Sequence, residues 1–247
     1  MKKFILIILI AASLSSHASL LKSSCLVKWE KIKSTQNISE EYSVLENLCG
    51  EDLKHKILEI SKNNIDLGYS LAREIMFSVL DNVSGVVCSV YSELCLSTDH
   101  IPDSSVMNCE HSWPQSLGAV GIAKDDLHHL FPVESKINSV RGNKPFCEVS
   151  KVTWSQEGSS YGLSNLGTKC FEPPQSHKGD LARAMFYFSI RYSKPIDAEQ
   201  EKFFRKWSIE DKVDLNEIKR NNLIEDYQKN RNPFVDIPDL ITLIDDF

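Results

Sequence analysis

The sequence lacks an excess of positive charge. Its 28 lysines and arginines are outnumbered by 34 aspartates and glutamates, and the formal net charge is −6 at pH 7. A protein that holds nucleic acid by charge alone needs a broad basic surface, so the composition excludes that class. A polyanion could bind only at a local site, with a metal cation to offset the acidic charge around it. The composition therefore leaves open a metal-dependent enzyme that acts on phosphodiesters.

Internal repeats, low-complexity blocks and linkers rich in glycine, serine or proline are also missing from the 247 residues. A chain of this length without such a boundary can bury one sizeable core. We therefore expect a single domain over residues 19–247. The cysteines contain no C-x-x-C pair, which makes a cysteine-based zinc site a poor alternative.

The first 18 residues have the pattern of a secretory signal peptide. Two lysines precede an apolar run over residues 4–12, and Ala18 follows as a small residue suited to cleavage. The run is too short for a good transmembrane span, although a retained membrane anchor is the alternative. The pattern predicts a protein of the periplasm or the medium, with no membrane contact once residues 1–18 are removed.

All seven cysteines lie after this leader, at positions 25, 49, 88, 95, 109, 147 and 170. In an exported chain this number predicts two or three disulfides and one unpaired thiol. Free buried cysteines, which pack as small hydrophobic residues, are the alternative. The spacing alone does not assign the pairs.

Hydrophobic periodicity predicts an α+β fold that is mainly helical. Residues 26–83 are predicted to be mostly helical, because Leu67, Leu71, Ile75 and Val79 recur on one helix face. The other predicted elements are strands over 85–91 and 127–131, an extended segment over 107–113, and helices over 133–141, over 180–192 and after the capping residues Asp197 and Asp214. The polar stretch 149–178 is predicted to be an ordered loop.

The chemistry is concentrated in residues 107–148. Glu110 supplies a carboxylate, the natural ligand of a hard cation such as Mg²⁺. His111 supplies an imidazole, the natural general base near neutral pH. Adjacent residues of an extended segment point to opposite sides. If both serve one site, either the backbone bends there or the metal and the substrate straddle the strand.

Asn138 and Arg141 are three residues apart on the predicted helix, so they share one face. An amide oxygen can complete a Mg²⁺ shell without adding charge, and a guanidinium can grip a phosphate through two hydrogen bonds. Glu134, one turn before Asn138, is interpreted as a solvated carboxylate that favours the helix dipole.

His128 and His129 follow Asp126 in a segment predicted to be a strand, where one histidine would point inward and the other outward. The inward histidine could be a zinc ligand, a second base or a hydrogen-bonded core residue, and the core interpretation is favoured. Asp126 and His128 share a face and are expected to orient each other or to brace the loop. A zinc hydrolase that uses both histidines and a cysteine is the alternative.

A strand with a histidine, a loop, a second strand and a helix with an asparagine is the layout of ββα-metal nucleases. The sequence contains, in order, the blocks Tyr69-x-x-Ala72-Arg73, Val90-Tyr91-Ser92, Asn108, EHSWPQS at 110–116, DLHHLFP at 126–132, NSVRGN at 138–143, Phe146, Glu148, KGDLARA at 178–184 and QKNRNPFVD at 228–236. In these blocks it resembles the bacterial endonuclease I family of exported, non-specific nucleases, over roughly residues 67–240. Several ordered blocks are far more specific than any single motif.

The resemblance implies a role for each matching residue. Glu110 and Asn138 would ligate one Mg²⁺, with Mn²⁺ and Ca²⁺ as candidate substitutes. His111 would be the general base that deprotonates the attacking water, and Arg141 would lie near the phosphate. The metal would stabilise the charge of the transition state.

The resemblance also implies a substrate and a product. The protein would be a monomer that cuts DNA, with RNA left open, through contacts to backbone phosphates and with weak sequence preference. It would leave 5′-phosphate ends. An inactive relative that binds nucleic acid or a protein partner through the same scaffold is the alternative.

Two cysteines depart from the family pattern. The family commonly has glycine at the position of Cys147, and Cys109, immediately before Glu110, is also unexpected. A Cys109–Cys147 disulfide, which would brace the beginning of the motif against the end of its helix, is therefore a hypothesis.

Overall fold

The computed structural model describes residues 23–247, and the predicted signal peptide lies outside this range. The helices are α1 (23–35), α2 (Gly50–Ser61), α3 (Tyr69–Ile75, continued by a π-helical turn, Met76–Leu80), α4 (Ser135–Arg141), α5 (Lys178–Tyr192), α6 (Ala198–Glu210), α7 (Leu215–Gln228) and α8 (Pro233–Asp236). None of the helices within residues 23–247 has the length and hydropathy that a membrane crossing requires.

The strands of the described range form three antiparallel sheets. The strands are β1 (Asn82–Val83), β2 (Val86–Cys88) and β3 (Cys95–Ser97) in the first sheet, β4 (Met107–His111) and β5 (Leu130–Glu134) in the second, and β6 (Lys151–Gln156), β7 (Ser159–Leu163) and β8 (Lys169–Glu172) in the third. Helices combined with small antiparallel sheets make an α+β fold, so the predicted fold class is confirmed.

The unit that positions the site is β4, β5 and α4. The two strands pair with Glu110 opposite Phe131 and His111 opposite Leu130. Helix α4 follows β5 without a loop and ends at Gly142, whose φ of 54° lies in the region that favours glycine. The predicted order of strand, strand and helix is therefore confirmed.

The bounds of this unit differ from the prediction. Residues 127–129 form a 3-10 turn rather than a strand, because the Asp126 carboxylate accepts a hydrogen bond from the main-chain nitrogen of His128. Helix α4 begins at Ser135 rather than at 133, because Pro132 and Val133 are still paired with β4.

Helix α5 is the centre of the core. Twelve of its fifteen residues are buried, which is typical of a helix that is covered on all sides. Gly179 is required at its first turn, since a Cβ atom there would lie 2.0 Å from the carbonyl oxygen of Asp211. The Phe188 ring connects the helix to the site, because it stacks on Trp113 at 4.9 Å and packs against His129 at 4.6 Å.

The prediction of a loop over residues 149–178 was wrong, since this stretch contains the β6–β8 sheet. Its hairpin turn is Glu157-Gly158, with φ of 49° and 87°, and a two-residue turn with two positive φ values fits the twist of paired strands. Most side chains of β6 are exposed, so the stretch is polar enough to resemble a loop. The predicted caps Asp197 and Asp214 are confirmed, because each carboxylate accepts hydrogen bonds from the first turn of its helix.

The cysteines form three disulfides and leave one free thiol, as their number predicts. The pairs are Cys25–Cys49, Cys88–Cys95 and Cys147–Cys170. The hypothesis of a Cys109–Cys147 disulfide was wrong. The Cys109 sulfur faces Met76 at 3.8 Å, whereas Cys147 lies beside β8 and donates its main-chain N–H to Phe171.

Candidate active site

Strand β4 separates two groups of side chains. Asn108 and Glu110 face α4, where they contact Asn138 and Arg141 respectively. His111 faces the other way, with its ring centroid 5.5 Å from that of Tyr69 on α3. The alternation of a regular strand is therefore kept, and a site that uses both Glu110 and His111 has to straddle the strand.

The Glu110 carboxylate is almost fully buried, at 2% exposure. Its Oε1 atom accepts a hydrogen bond from the Tyr91 hydroxyl at 3.1 Å and forms an ion pair with Arg141 Nε at 3.2 Å. Burial raises the pKa of Glu110 above its usual range, and the Arg141 charge opposes that rise. A buried carboxylate with few partners has a strong requirement for positive charge nearby.

Tyr91 is itself held firmly. Its ring packs against Phe171 at 5.0 Å and against His177 at 5.8 Å, and its side chain is completely buried. Its carbonyl oxygen accepts a hydrogen bond from the Ser159 hydroxyl at 2.7 Å. Burial raises the pKa of the phenol well above its usual value of 10, so the hydroxyl remains a donor.

Arg141 connects α4 to the end of β4. Its Nη1 and Nη2 atoms donate to the carbonyl oxygens of His111 and Ser112 at 3.2 and 2.7 Å, and its Cζ lies 4.4 Å from the centroid of the Phe146 ring. The side chain is 2% exposed. These contacts occupy the guanidinium with main-chain oxygens and Glu110, so they favour a role in holding the strand rather than the predicted grip on a phosphate.

His111 has a defined tautomer. Its Nε2 atom lies 3.0 Å from the carbonyl oxygen of Lys124, which can only accept, so Nε2 carries the proton. Its Nδ1 atom then has the lone pair, and it lies 3.4 Å from the Gln115 side-chain nitrogen. Burial, with a smaller contribution from His129, lowers the pKa of His111 to about 3. The imidazole is therefore neutral at pH 7, which is the form that can accept a proton.

The Asn138 amide is oriented by its neighbour. Its nitrogen donates to the Asn108 side-chain oxygen at 2.7 Å, which leaves the Asn138 amide oxygen as the free acceptor. Asn108 and Glu110 lie on the same face of β4, so Asn138 and Glu110 are brought to one side of the strand. A carboxylate and an amide oxygen are hard donors, and Mg²⁺ is commonly held by one or two such ligands with water and substrate oxygens. The pair fits such a cation.

The family model of endonuclease I matches residues 26–239. The chain belongs to the endonuclease I family. It is 35% identical over 154 residues to an extracellular ribonuclease of Bacillus subtilis, which covers 53% of this chain and 51% of that protein. It is 36% identical over 129 residues to Endonuclease-1 of Buchnera aphidicola, a match that covers 52% of this chain and 51% of that protein. It is 31% identical over 116 residues to an extracellular deoxyribonuclease of Aeromonas hydrophila, a match that covers 45% of this chain and 48% of that protein. The chain spans about half the length of these curated relatives.

In this member of the endonuclease I family, Asp126 is a buried centre of hydrogen bonds. Its carboxylate accepts from the hydroxyls of Tyr187 and Tyr192 at 2.9 and 2.7 Å, and from the Gln228 amide at 2.8 Å. Burial alone would raise the pKa of Asp126, but the adjacent histidines and these donors bring it below its usual range. Asp126 thus ties the turn before β5 to α5 and α7.

The two histidines after Asp126 are both buried, so the expectation that one points outward was wrong. The His128 ring packs on Tyr187 at 4.5 Å. His129 Nε2 hydrogen-bonds to the Ala123 carbonyl at 2.7 Å, and its ring meets the His111 ring edge-on at 5.5 Å. These packed positions favour bracing. They give no support to the zinc hydrolase alternative, because six cysteines are in disulfides and the sulfur of the free Cys109 faces Met76.

Sequence reasoning assigned no role to four residues that contact the predicted site. Tyr91, Asn108 and Gln115 lie within blocks that resemble the family, but their partners, Glu110, Asn138 and His111, become visible only in three dimensions. Lys124 contacts His111 through its main-chain carbonyl, so this contact does not depend on the residue type at 124.

Proposed function

We propose that this protein is an exported, metal-dependent endonuclease that hydrolyses phosphodiester bonds in DNA. The observation that carries the proposal is the arrangement around β4. A neutral, oriented imidazole at His111 lies on one face, and two hard oxygen donors, Glu110 and Asn138, are turned toward the other. Membership of the endonuclease I family supports the same reading.

Each residue has one task in the proposed reaction. Glu110 and Asn138 would hold one Mg²⁺, and the bound cation would supply charge stabilisation for the phosphate in the transition state. His111 Nδ1 would take a proton from water, whose oxygen then bonds to phosphorus. The bond between phosphorus and the 3′ oxygen breaks, and the departing 3′ oxygen takes a proton from a second water, which leaves a 5′-phosphate and a 3′-hydroxyl. The hydroxide formed from that water takes up the proton held by His111, so the imidazole returns to its neutral form. Arg141 would keep Glu110 and the end of β4 in place.

Asp126 and His128 would support this arrangement without touching the substrate. They belong to the turn that precedes β5, and the same turn follows Lys124, whose carbonyl orients His111. Their proposed effect on activity is therefore indirect, through the position of that carbonyl.

The proposed substrate is nucleic acid, bound through its backbone phosphates. Recognition through backbone phosphates predicts weak sequence preference. The similar proteins include an extracellular ribonuclease and an extracellular deoxyribonuclease, so RNA is a substrate to test beside DNA.

Three disulfides are typical of an exported protein, and one relative is a periplasmic deoxyribonuclease. We infer a location in the periplasm or the medium, as a monomer.

The test is cleavage of supercoiled plasmid and of labelled RNA by the oxidised chain 19–247. Cleavage is expected with Mg²⁺, and the assay should be repeated with Mn²⁺, Ca²⁺ and EDTA. Glu110→Gln should lose cleavage, whereas Glu134→Gln is the matched control, since Glu134 is a half-buried carboxylate at the start of α4 whose side chain accepts a hydrogen bond from Gln156. Cleavage in EDTA, or full activity of a folded Glu110→Gln variant, would refute the proposal.

A further inference from the structure

We propose that Tyr91 is a positioning residue that sets the divalent-cation affinity of the site by fixing the Glu110 carboxylate. The inference rests on the proposed function, because it takes Glu110 as a cation ligand. It assigns to Tyr91, which is far from Glu110 in the sequence, a part in metal binding that requires no contact with the metal.

The contacts at Glu110 divide its two oxygens between two tasks. The Tyr91 hydroxyl and Arg141 Nε both approach Oε1, at 3.1 and 3.2 Å. Within residues 23–247, no side chain donates a hydrogen bond to the other oxygen, Oε2. A hydrogen bond from Tyr91 and an ion pair with Arg141 on the same oxygen hold the carboxylate group in place, and the second oxygen is left as the atom that can bind a cation.

The two groups that contact Oε1 differ in charge, and the difference matters for a cation site. Arg141 offsets the carboxylate charge in the buried site, but its own positive charge repels a metal ion. The Tyr91 hydroxyl orients the same oxygen without adding positive charge. The geometry therefore assigns to Tyr91 the task of orienting the Glu110 carboxylate. Because its hydroxyl is neutral, it does so without repelling the bound cation.

Tyr91 is suited to this task because it has little freedom to move. Its main-chain nitrogen donates to the Ser89 hydroxyl oxygen at 3.2 Å, and its carbonyl accepts from the Ser159 hydroxyl at 2.7 Å. Its ring is completely buried against Phe171 and His177. A hydroxyl held on both sides in this way can fix the rotamer of the Glu110 side chain. Residues that hydrogen-bond to a metal ligand in this manner tune the affinity of the site for the metal.

The decisive variant is Tyr91→Phe, which removes the hydroxyl and keeps the ring. The matched control is Tyr42→Phe, because Tyr42 is also buried and donates to a carboxylate, that of Asp236, in a 3-10 turn remote from β4. The dissociation constant for Mg²⁺ is measured by calorimetry, and that for Mn²⁺ by electron paramagnetic resonance, in both cases without nucleic acid.

Tyr91→Phe is expected to weaken cation binding by about 10- to 100-fold, the range found when partners of metal ligands are removed. The Mg²⁺ concentration that gives half-maximal cleavage should rise by the same factor, while the rate at saturating Mg²⁺ stays close to that of the parent. A general loss of structure would lower the saturating rate instead. Tyr42→Phe should leave the cation affinity unchanged.

Unchanged cation affinity in a folded Tyr91→Phe variant would overturn the inference and leave the proposed function intact. Failure of the parent chain to bind either cation would overturn the proposed function, and the inference with it. If Tyr91→Phe does not fold, 4-fluorophenylalanine at position 91 fills the same space without a donor, and the same comparison decides.

Discussion

The Nε2 atom of His111 lies 3.0 Å from the carbonyl oxygen of Lys124. The contact links β4 to the loop before β5, and it determines which ring nitrogen is free. A carbonyl cannot donate, so Nδ1 is the only nitrogen of His111 that can take a proton from water. The identity of the residue at 124 does not matter to this contact, whereas the path of its main chain does.

Arg141→Ala is expected to lower the free energy of unfolding by about 3–5 kcal/mol, because it leaves the buried Glu110 carboxylate without its cationic partner. It should also lower the cleavage rate, since the carbonyls of His111 and Ser112 lose their donor. Urea unfolding and plasmid cleavage measure the two effects.

A suitable control for Arg141→Ala is Arg191→Ala. Arg191 binds the Asn64 side chain and the Lys62 carbonyl and is only partly buried, so its loss should cost about 1 kcal/mol. A folded Arg141→Ala variant with parental stability and a raised KM for DNA would instead favour the phosphate contact predicted from the sequence.

Asn108→Ala is expected to weaken cation binding although Asn108 is not a proposed ligand. The change frees the Asn138 amide, whose nitrogen now donates to Asn108 at 2.7 Å, so its oxygen is no longer oriented. Stability should fall by only about 1 kcal/mol, because Asn108 is half-buried. Calorimetry with Mg²⁺ tests this, with the exposed Asn143→Ala as control. Equal affinity in the two variants would count against the assignment of Asn138.

The double variant Cys147→Ser with Cys170→Ser is expected to lose about 3 kcal/mol of stability, given a loop of 23 residues. The Cys88–Cys95 pair closes a loop of 7 residues, so its removal should cost about 2 kcal/mol. Guanidinium unfolding compares the two. A smaller loss of stability for the Cys147–Cys170 pair than for the Cys88–Cys95 pair would refute this ranking.

In the parent, the buried Cys109 should be the one thiol labelled, and only after unfolding.

The half-buried Asp180 and the buried Glu217 share one arginine, Arg183, which contacts both carboxylates. Burial, and then the Asp180 charge, raise the pKa of Glu217 to about 8 from an ordinary value of 4.5. The folded state then binds more protons than the unfolded state between these pH values. The contribution of Glu217 to the free energy of unfolding is therefore fully present below about pH 4.5 and is lost as the pH rises toward about 8.

Glu217→Gln should flatten this pH dependence, measured as urea unfolding from about pH 5 to about pH 8. Glu201→Gln is the control, because Glu201 is a buried carboxylate that pairs with Arg205 and accepts a hydrogen bond from the main-chain nitrogen of Phe247, with no second carboxylate sharing its arginine within residues 23–247. If the two variants show the same pH dependence as the parent, Glu217 is ionised throughout and the prediction fails.

The sequence alone predicted the parts of the site that depend on local pattern. The order of β4, β5 and α4 was foreseen because hydrophobic periodicity and Gly142 mark these elements. The sequence did not predict the β6–β8 sheet. Most side chains of β6 are exposed, so the alternation of buried and exposed residues that marks a strand is weak there. The partners of Glu110 and His111 were also missed, since Tyr91 and the Lys124 carbonyl reach them only through the tertiary fold.

The cysteine pairing shows the same limit. The number of disulfides follows from seven cysteines in an exported chain, whereas the pairs depend on which strands are neighbours. Cys147 bonds to Cys170 because the segment after α4 lies beside β8, where Phe146 bridges to Phe171. A prediction of a loop over residues 149–178 contains no β8, so it gives Cys147 no neighbouring strand and no partner.

The most direct test of the account is plasmid cleavage by His111→Ala with Mg²⁺, without and with added imidazole. Loss of the general base should slow cleavage by about 10²- to 10⁴-fold. Free imidazole should restore part of the rate, because the truncation leaves space between Tyr69 and His129 where the ring had been. Cleavage by folded His111→Ala at close to the parental rate would contradict the account.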